Sequence, residues 1–137
     1  MSNVDPKRSQ EVLERVERER GASRAWPRLL AARDPELLEL LHDTTQHVLE
    51  RRDSLPRKYK EILLAALNAS TLREFGFRFH TRGALQHGAT EDEILEALAI
   101  VGITNQHGLT SMLPALVEEV DKFRQASGQQ NEPAAKP

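Results

Sequence analysis

The stretch LPRKYKEILLAALNASTLREFGFRFHTRGALQHG, residues 55–88, decides the fold of this chain. Residues 62–67 form the most apolar run, and apolar side chains on every side of a helix indicate that neighbouring elements cover it all round. The helix that follows it covers about residues 72–87, and Gly88 suits its C-terminal cap. Two central helices, over about 55–70 and 72–87, are therefore expected in an all-α fold.

Two helices are predicted in the N-terminal part of the chain. Asp5-Pro6 and Asp34-Pro35 are start signals, because aspartate caps the first turn of a helix and proline is tolerated there. The first helix covers residues 4–20, with Gly21 as its stop signal, and the second covers residues 34–52.

The first helix carries an apolar stripe that is too narrow to anchor it strongly, so it packs on a partner subunit or sits loosely on the surface. This stripe consists of Val12, Leu13 and Val16. Residues 22–33 are interpreted as a connector, which holds the single tryptophan, Trp26, directly before Pro27.

Two more helices follow Gly88. Thr90 and Glu93 form a T-x-x-E capping box, which begins a fifth helix that ends around residues 105–108. A sixth helix has Pro114 in or near its first turn, where the missing N–H is tolerated. The expected buried faces are Ile94, Leu95, Leu98 and Val101 in the fifth helix, and Met112, Leu113, Leu116, Val117 and Val120 in the sixth.

These elements predict one domain of about six helices, since no stretch shows the alternation of a strand. Residues 1–33 would form an N-terminal helix and connector, and residues 34–125 the main domain. Residues 126–137 lack a hydrophobic anchor and are expected to be disordered.

The composition excludes several classes of protein. A net charge of −2 over 137 residues, with bases and acids interleaved, argues against a nucleic-acid binder. The chain has no cysteine, which removes disulfides, thiolate metal sites and thiol nucleophiles. No apolar run approaches the roughly 20 residues of a membrane span, and the N-terminus does not resemble a signal peptide. A cytoplasmic protein with no membrane or nucleic-acid partner is therefore expected.

His80 is the first candidate for chemistry, because it lies on a helix face flanked by Gly76 and Gly83. Glycine costs roughly 1 kcal/mol in a helix interior relative to alanine, so two of them need a reason. Either the helices pack closely there, or a cavity lies above the imidazole. His80 itself is either a catalytic group or a satisfied core histidine.

Glu61 is the second candidate, because it enters the apolar run of the preceding helix. A carboxyl group pressed against apolar side chains tends to a raised pKa and can exchange protons near neutral pH. The alternative is a solvated glutamate in the first turn, favoured by the helix dipole. Phe75, Phe77 and Phe79 lie near His80 in sequence and indicate core or subunit contact, which would also keep water from the imidazole.

The segments LPRKYKEILLAALNAS and HTRGALQHGATEDEILEALAI resemble the carboxymuconolactone decarboxylase and alkylhydroperoxidase D-like family. The resemblance spans about residues 34–120. It implies an all-α fold of the alkylhydroperoxidase D-like type, assembly as a homo-oligomer (a trimer or a hexamer), and sites near subunit contacts.

Redox members of this family have a glutamate, a C-x-x-C motif and a histidine one turn further on. By resemblance, Glu61 and His80 match the glutamate and the histidine, whereas Arg73 and Gly76 stand at the two cysteine positions. Peroxide reduction by that mechanism needs an attacking thiolate and a resolving thiol, so thiol peroxidase activity is excluded.

The cysteine-free branch includes the decarboxylase that acts on a γ-carboxylated muconolactone in aromatic compound catabolism without a cofactor. The resemblance therefore implies a lyase or isomerase for a small carboxylated substrate, with His80 and Glu61 as the proton-transfer pair. Arg73 lies on the face of His80 and could bind a substrate carboxylate. Arg82 lies nearly opposite on the helix, so it either reaches a site at a subunit junction or forms a structural ion pair. His107, placed in a loop after the fifth helix, points toward the same cavity or into solvent.

No metal site is expected. His80 and His87 are about 10 Å apart along a helix axis, too far to share one ion, and no H-E-x-x-H motif exists. Two alternatives to the lyase remain open. One is a non-catalytic oligomeric ligand-binding or scaffold protein, and the other is a hydrolase or hydratase that uses Glu61 and His80.

Overall fold

The computed structural model describes residues 4–21 and 24–128. These residues form seven α-helices and one π-helical turn, with no strand among them, so the predicted all-α class is confirmed. The chain divides into two units, Met1–Arg52 and Asp53–Pro137, each with its own hydrophobic core. The predicted boundary between residues 33 and 34 stays a prediction.

Three helices build the N-terminal unit: α1 (Pro6–Arg20), α2 (Ala25–Ala31) and α3 (Pro35–Gln46), which continues into a π-helical turn, His47–Arg51. The side chains of Asp5 and Asp34 cap α1 and α3, as the sequence predicted. Gly21 ends α1 with φ 65°, a conformation that favours glycine. The second predicted helix thus has the expected extent, although its last turn is π-helical.

The interpretation of residues 22–33 as a connector is wrong for α2. Pro27 lies in the first turn of α2, where its missing N–H would have no helical partner in any case. It is therefore accommodated near the start of a short helix. Residues 22 and 23 lie outside the described residues.

Polar contacts add to the narrow apolar stripe of α1. Val12 and Val16 are buried with Ala31 and Leu38 in the core of this unit. The fully buried imidazole of His42 on α3 is 2.6 Å through Nε2 from Oε2 of Glu19. Its Nδ1 accepts a hydrogen bond of 3.2 Å from Nε of Arg20, so α1 is anchored within its own unit. The expectation of a loosely attached helix is therefore wrong, while the alternative contact with a partner subunit stays a prediction.

Four helices build the C-terminal unit: α4 (Arg57–Ser70), α5 (Glu74–Gln86), α6 (Glu91–Thr104) and α7 (Gln106–Ala126). Helix α5 packs on α4 and α7, and α6 packs on α7 and α4. The larger buried side chains of the shared core are Ile62, Phe77, Leu85, Ile94, Leu98, Val101, Met112, Leu116 and Val120.

Helix α4 is covered on one side within the single chain. Ala65 and Ala69 are buried against neighbouring helices, whereas Leu63 and Leu67 are exposed, Leu67 to 63%. The prediction that the run is covered all round is therefore wrong for the single chain. The small side chains of Ala65 and Ala69 allow close helix packing on the buried side of α4. The bulkier Leu63 and Leu67 lie on its exposed side.

The helix ends of this unit follow local signals, with one exception. Gly88, which follows the C-cap residue His87 of α5, has φ 87°, and the capping box of Thr90 and Glu93 is formed at the start of α6. Helix α7, however, begins at Gln106, so Pro114 lies in its interior and not in its first turn. The sequence prediction missed this start because extended Asn105 separates α6 from α7 by a single residue.

The predicted buried faces of α6 and α7 are correct only in part. Leu95, Leu113 and Val117 are exposed, while the other members of both faces are buried. No helix in the described part of the chain is long and apolar enough to cross a bilayer. Of the predicted disordered tail, residues 129–137 lie outside the described residues, and Ala126 still belongs to α7.

Candidate active site

Two of the predicted site residues meet between α4 and α5. Glu61 lies in the second turn of α4 and His80 in the middle of α5. Oε2 of Glu61 is 2.7 Å from Nδ1 of His80, within hydrogen-bond distance. The structure thus places the acid and the imidazole in direct contact on two packed helices.

Arg57 holds the other oxygen of the same carboxylate. Its Nε donates to Oε1 of Glu61 at 2.8 Å, and its Nη2 is 2.7 Å from the same atom. The sequence interpretation missed Arg57, although it precedes Glu61 by four residues, the spacing at which helical ion pairs form. The three side chains form a chain of contacts, Arg57 to Glu61 to His80.

The electrostatics of Glu61 differ from the expectation. Burial raises the pKa of the Glu61 carboxyl, but hydrogen bonds from His80 and Arg57 outweigh burial and leave that pKa below its ordinary value. The predicted raised pKa is therefore wrong, and Glu61 is an ionised carboxylate at neutral pH. The alternative of a solvated glutamate is wrong too, since Glu61 is only 3% exposed.

The ionised carboxylate fixes the role of each ring nitrogen of His80. A carboxylate only accepts hydrogen bonds, so Nδ1 of His80 must be the donor. Nε2 is then the nitrogen that remains to exchange a proton with a bound molecule. The side chain of His80 is 19% exposed, so part of it lies at the surface of the single chain.

The three phenylalanines near His80 have different surroundings. Phe77 is fully buried in the core, whereas Phe75 and Phe79 are exposed. The rings of Phe79 and His80 meet edge to face, with centroids 5.1 Å apart. Phe79 therefore shields one side of the imidazole, and the expected exclusion of water is partial.

The glycines beside His80 serve close helix packing. A Cβ atom at Gly76 would lie 2.0 Å from Oδ1 of Asn68, and one at Gly83 would lie 2.8 Å from Cδ of Glu61. Both glycines face α4, so of the two readings left open by the sequence the geometry favours close approach of the helices over a cavity.

Arg73 is not joined to the pair. It is the exposed residue at the N-cap of α5, seven residues before His80, and it makes no hydrogen bond with Glu61 or His80. Seven residues are about 10 Å along a helix axis. Arg73 can reach a molecule bound at His80 only with its side chain fully extended.

Arg82 points away from His80 toward α7. Its Nη1 is 3.7 Å from Oε2 of Glu119, a fully buried carboxylate that Nη1 of Arg78 also binds, at 3.2 Å from Oε1. This geometry favours the structural ion pair over a substrate contact.

His107 lies in the first turn of α7 and is exposed. Its predicted place in a loop is therefore wrong, because α7 begins one residue before it. The side-chain amide of Asn105 donates to the carbonyl of Ser70 and fixes the start of α7 beside the end of α4. Within the ranges 4–21 and 24–128, no cluster of three or more metal-ligating side chains is present.

The model of the carboxymuconolactone decarboxylase family matches residues 35–117, more than half of the chain. The chain therefore belongs to the carboxymuconolactone decarboxylase family. A solved structure from Burkholderia xenovorans LB400, described as a candidate carboxymuconolactone decarboxylase, is similar with a TM-score of 0.73. It is 24% identical, and the match covers 90% of this chain and 99% of that one, which shows a shared fold. A comparison with curated proteins gave no significant match.

Proposed function

We propose that this protein is a cofactor-free lyase, similar to a decarboxylase, or an isomerase that acts on a small carboxylated substrate such as a lactone. The contact of buried, ionised Glu61 with Nδ1 of His80 carries this proposal. It leaves one imidazole nitrogen, Nε2, available to a substrate. Family membership supports the reaction class, and the absence of cysteine excludes the thiol peroxidase reaction.

In the proposed reaction, the C–C bond to a carboxylate breaks and CO₂ leaves. The electron pair stays on the ring as a dienolate conjugated with the lactone carbonyl. Nε2–H of the His80 imidazolium then protonates the carbanion, and the imidazole regains its proton from solvent. Glu61 stabilises the imidazolium and holds the ring in place, which corresponds to the acid–imidazole pairs of other enzymes.

Three further residues are proposed to take part in substrate binding: Arg73, His107 and Arg82. Arg73 and His107 are exposed, so each would contact a substrate that is held at the surface or beneath a neighbouring subunit. Arg82 pairs with Glu119, so it would affect substrate binding through that ion pair more than through direct contact with the substrate. A cation that binds the substrate carboxylate would also stabilise the charge that develops during decarboxylation.

We also propose that the chain forms a homo-oligomer, a trimer or a hexamer as the family resemblance implies. Leu63 and Leu67 lie four residues apart on α4, and Phe75 and Phe79 lie four apart on α5, all of them exposed. Exposed apolar side chains at this density indicate a contact surface. A second subunit there would add cover to Phe79 and to the ring of His80.

Decarboxylation of γ-carboxymuconolactone, measured as CO₂ release, tests the function. Wild type should release CO₂ well above background, and His80→Gln should lose about 100-fold or more of the rate. His47→Gln is the control, because this histidine is exposed and lies in the N-terminal unit, whereas the pair lies in the C-terminal unit. Equal rates in wild type and His80→Gln would reject His80 as the acid.

Two other functions are separated by the products. A hydrolase or hydratase using Glu61 and His80 would add water to the lactone without releasing CO₂. The exposed Leu67 and Phe75 would also suit a non-catalytic ligand-binding or scaffold protein. Such a protein would convert no substrate, and its oligomeric state would be the same in wild type and His80→Gln.

A further inference from the structure

We infer that Gly83 is a positioning residue for the Glu61–His80 pair, because its missing side chain leaves the space that the Glu61 carboxylate occupies. As far as activity is concerned, this inference rests on the proposed function. Its structural part, the orientation of Glu61 and the tautomer of His80, can be measured without any substrate.

The geometry around Gly83 is specific to one carboxylate. Gly83 follows His80 by three residues on α5, so both lie on neighbouring parts of one helix face. A Cβ atom at position 83 would lie 2.8 Å from both Cδ and Oε2 of Glu61, and 3.3 Å from its Cγ. Oε2 is the atom that accepts the hydrogen bond from Nδ1 of His80. Any side chain at position 83 therefore displaces the acceptor of that bond.

The carboxylate, and not the helices, should yield to such a side chain. The clashing atoms are the end of a flexible side chain, whereas α4 and α5 are packed along their length. Arg57 binds the other oxygen from the same helix as Glu61, so it can follow the displaced carboxylate. Substitution at Gly83 should thus separate the acid from the imidazole and leave the fold in place.

Helix propensity alone would favour alanine at this position. Gly83 lies in the interior of α5, where glycine is less stable than alanine. A helix-interior glycine that faces a buried carboxylate is consistent with a site that sacrifices some stability for the geometry of its charged groups. The clash with the atom that accepts the His80 hydrogen bond, and not helix propensity, distinguishes Gly83 from a glycine needed only for packing.

Gly76 provides the matched control. It also lies on α5 and faces α4, and a Cβ atom there would meet the end of a side chain, Oδ1 of Asn68, at 2.0 Å. Gly76→Ala should therefore disturb Asn68 in the way that Gly83→Ala disturbs Glu61. Only Gly83→Ala should affect His80.

The experiment compares the neutral imidazole of His80 in ¹⁵N-labelled wild type, Gly83→Ala and Gly76→Ala by long-range ¹H–¹⁵N NMR, with His80→Gln to assign the signal. We expect the Nδ1–H tautomer in wild type and in Gly76→Ala, since the hydrogen bond to Glu61 fixes it. Gly83→Ala should shift His80 toward the Nε2–H tautomer. Retention of the Nδ1–H tautomer in Gly83→Ala would overturn the inference.

A double-mutant cycle with Glu61→Ala tests whether Gly83 acts through Glu61. In the Glu61→Ala background the clash is gone, so Gly83→Ala should leave the His80 signals unchanged. Loss of folding in Gly83→Ala that Glu61→Ala restores would support the inference, whereas loss of folding in both backgrounds would overturn it.

Activity gives a separate readout. Gly83→Ala should lower kcat for CO₂ release by about tenfold or more with little change in KM, and Gly76→Ala should not. If wild type releases no CO₂, the proposed function fails while the NMR result still decides the inference. If His80→Gln abolishes activity but the tautomer is unchanged in Gly83→Ala, the function stands and the inference fails.

Discussion

Arg57 binds Oε1 of Glu61 from one turn earlier on the same helix, at 2.8 Å from Nε and 2.7 Å from Nη2. The carboxylate is therefore held at both oxygens, by Arg57 and by His80. Two donors keep this buried acid charged, because each hydrogen bond favours the ionised form. In the proposed reaction His80 is therefore the group that exchanges the proton, and Glu61 is its fixed counter-charge.

Arg57→Met should raise the pKa of Glu61, because it removes the hydrogen bonds to Oε1 and leaves burial less opposed. We expect about tenfold lower turnover, since a partly protonated Glu61 stabilises the imidazolium less. A ¹³C NMR titration of the Glu61 carboxyl measures the change. Arg57→Lys retains the charge and should lie between wild type and Arg57→Met. An unchanged titration in Arg57→Met would contradict this account.

The stability of the C-terminal unit should depend on the ionisation of Glu61. Its pKa is lowered in the folded state, so the carboxylate contributes stability that is fully present above the unfolded-state pKa and is lost as the pH falls through the folded-state pKa. Glu61→Gln should therefore destabilise the protein by about 1–3 kcal/mol at neutral pH and by less in acid, below about pH 4.

Urea unfolding at both pH values measures this difference between wild type and Glu61→Gln. Glu96→Gln, at an exposed position of α6, is the control and should unfold like wild type. A stability difference that does not shrink in acid would argue against ionised Glu61 as its source.

Arg78 and Arg82 should differ in their effects, although both contact Glu119. Arg78 is mostly buried and contacts three carboxylates, so Arg78→Ala should cost about 1–3 kcal/mol. Arg82 is 48% exposed and 3.7 Å from Glu119, so Arg82→Ala should cost at most about 1 kcal/mol. Thermal unfolding measures both. Retained CO₂ release in Arg82→Ala would support its structural role, and a raised KM would indicate a substrate contact.

His42 should be a major contributor to the stability of the N-terminal unit. His42→Ala removes a fully buried ring and leaves Glu19 and Arg20 without that partner, so we expect a loss of about 2–5 kcal/mol. The guanidinium of Arg20 lies 5.2 Å from the ring centroid of Trp26, so the fluorescence of this single tryptophan reports unfolding locally. His47→Ala, at an exposed position, should be close to neutral.

Charges on the exposed leucine face of α4 should disrupt the proposed oligomer. Leu67→Glu would bury a carboxylate in an apolar subunit contact, which is costly without a partner. Analytical ultracentrifugation should show smaller species for Leu67→Glu than for wild type. Glu96→Gln serves again as the control. A wild-type chain that sediments as a monomer would refute the oligomer.

Local signals in the sequence predicted most helix boundaries. The Asp-Pro pairs, the capping box and the two glycines at helix ends act within a few residues, so they operate whatever the rest of the fold does. The predictions that failed concern proline and direct helix junctions. Pro27 and Pro114 are both accommodated in helices, and one extended residue, Asn105, joins α6 to α7.

The choice of Glu61 and His80 came from residue type, spacing and the resemblance to a family. The sequence alone could not show the electrostatic state of Glu61, because burial and hydrogen bonding shift its pKa in opposite directions. The sequence interpretation also missed Arg57. Its guanidinium contacts the Glu61 carboxylate, whereas Arg73 lies at the N-cap of α5 and is not joined to the pair. The contact of Arg57 with Glu61 lies within α4 at a spacing of four residues, so the sequence carried a signal for it that the interpretation did not use.

The sequence by itself determined the all-α class, the family and the absence of thiol chemistry, since periodicity, end signals and composition are properties of the chain. Only the tertiary structure decided which side chains meet. The contact between Glu61 and His80 joins residues 19 positions apart on two helices, at a glycine that admits the carboxylate. Such a contact depends on the rotation and separation of packed helices, which side-chain volumes along the whole interface set together.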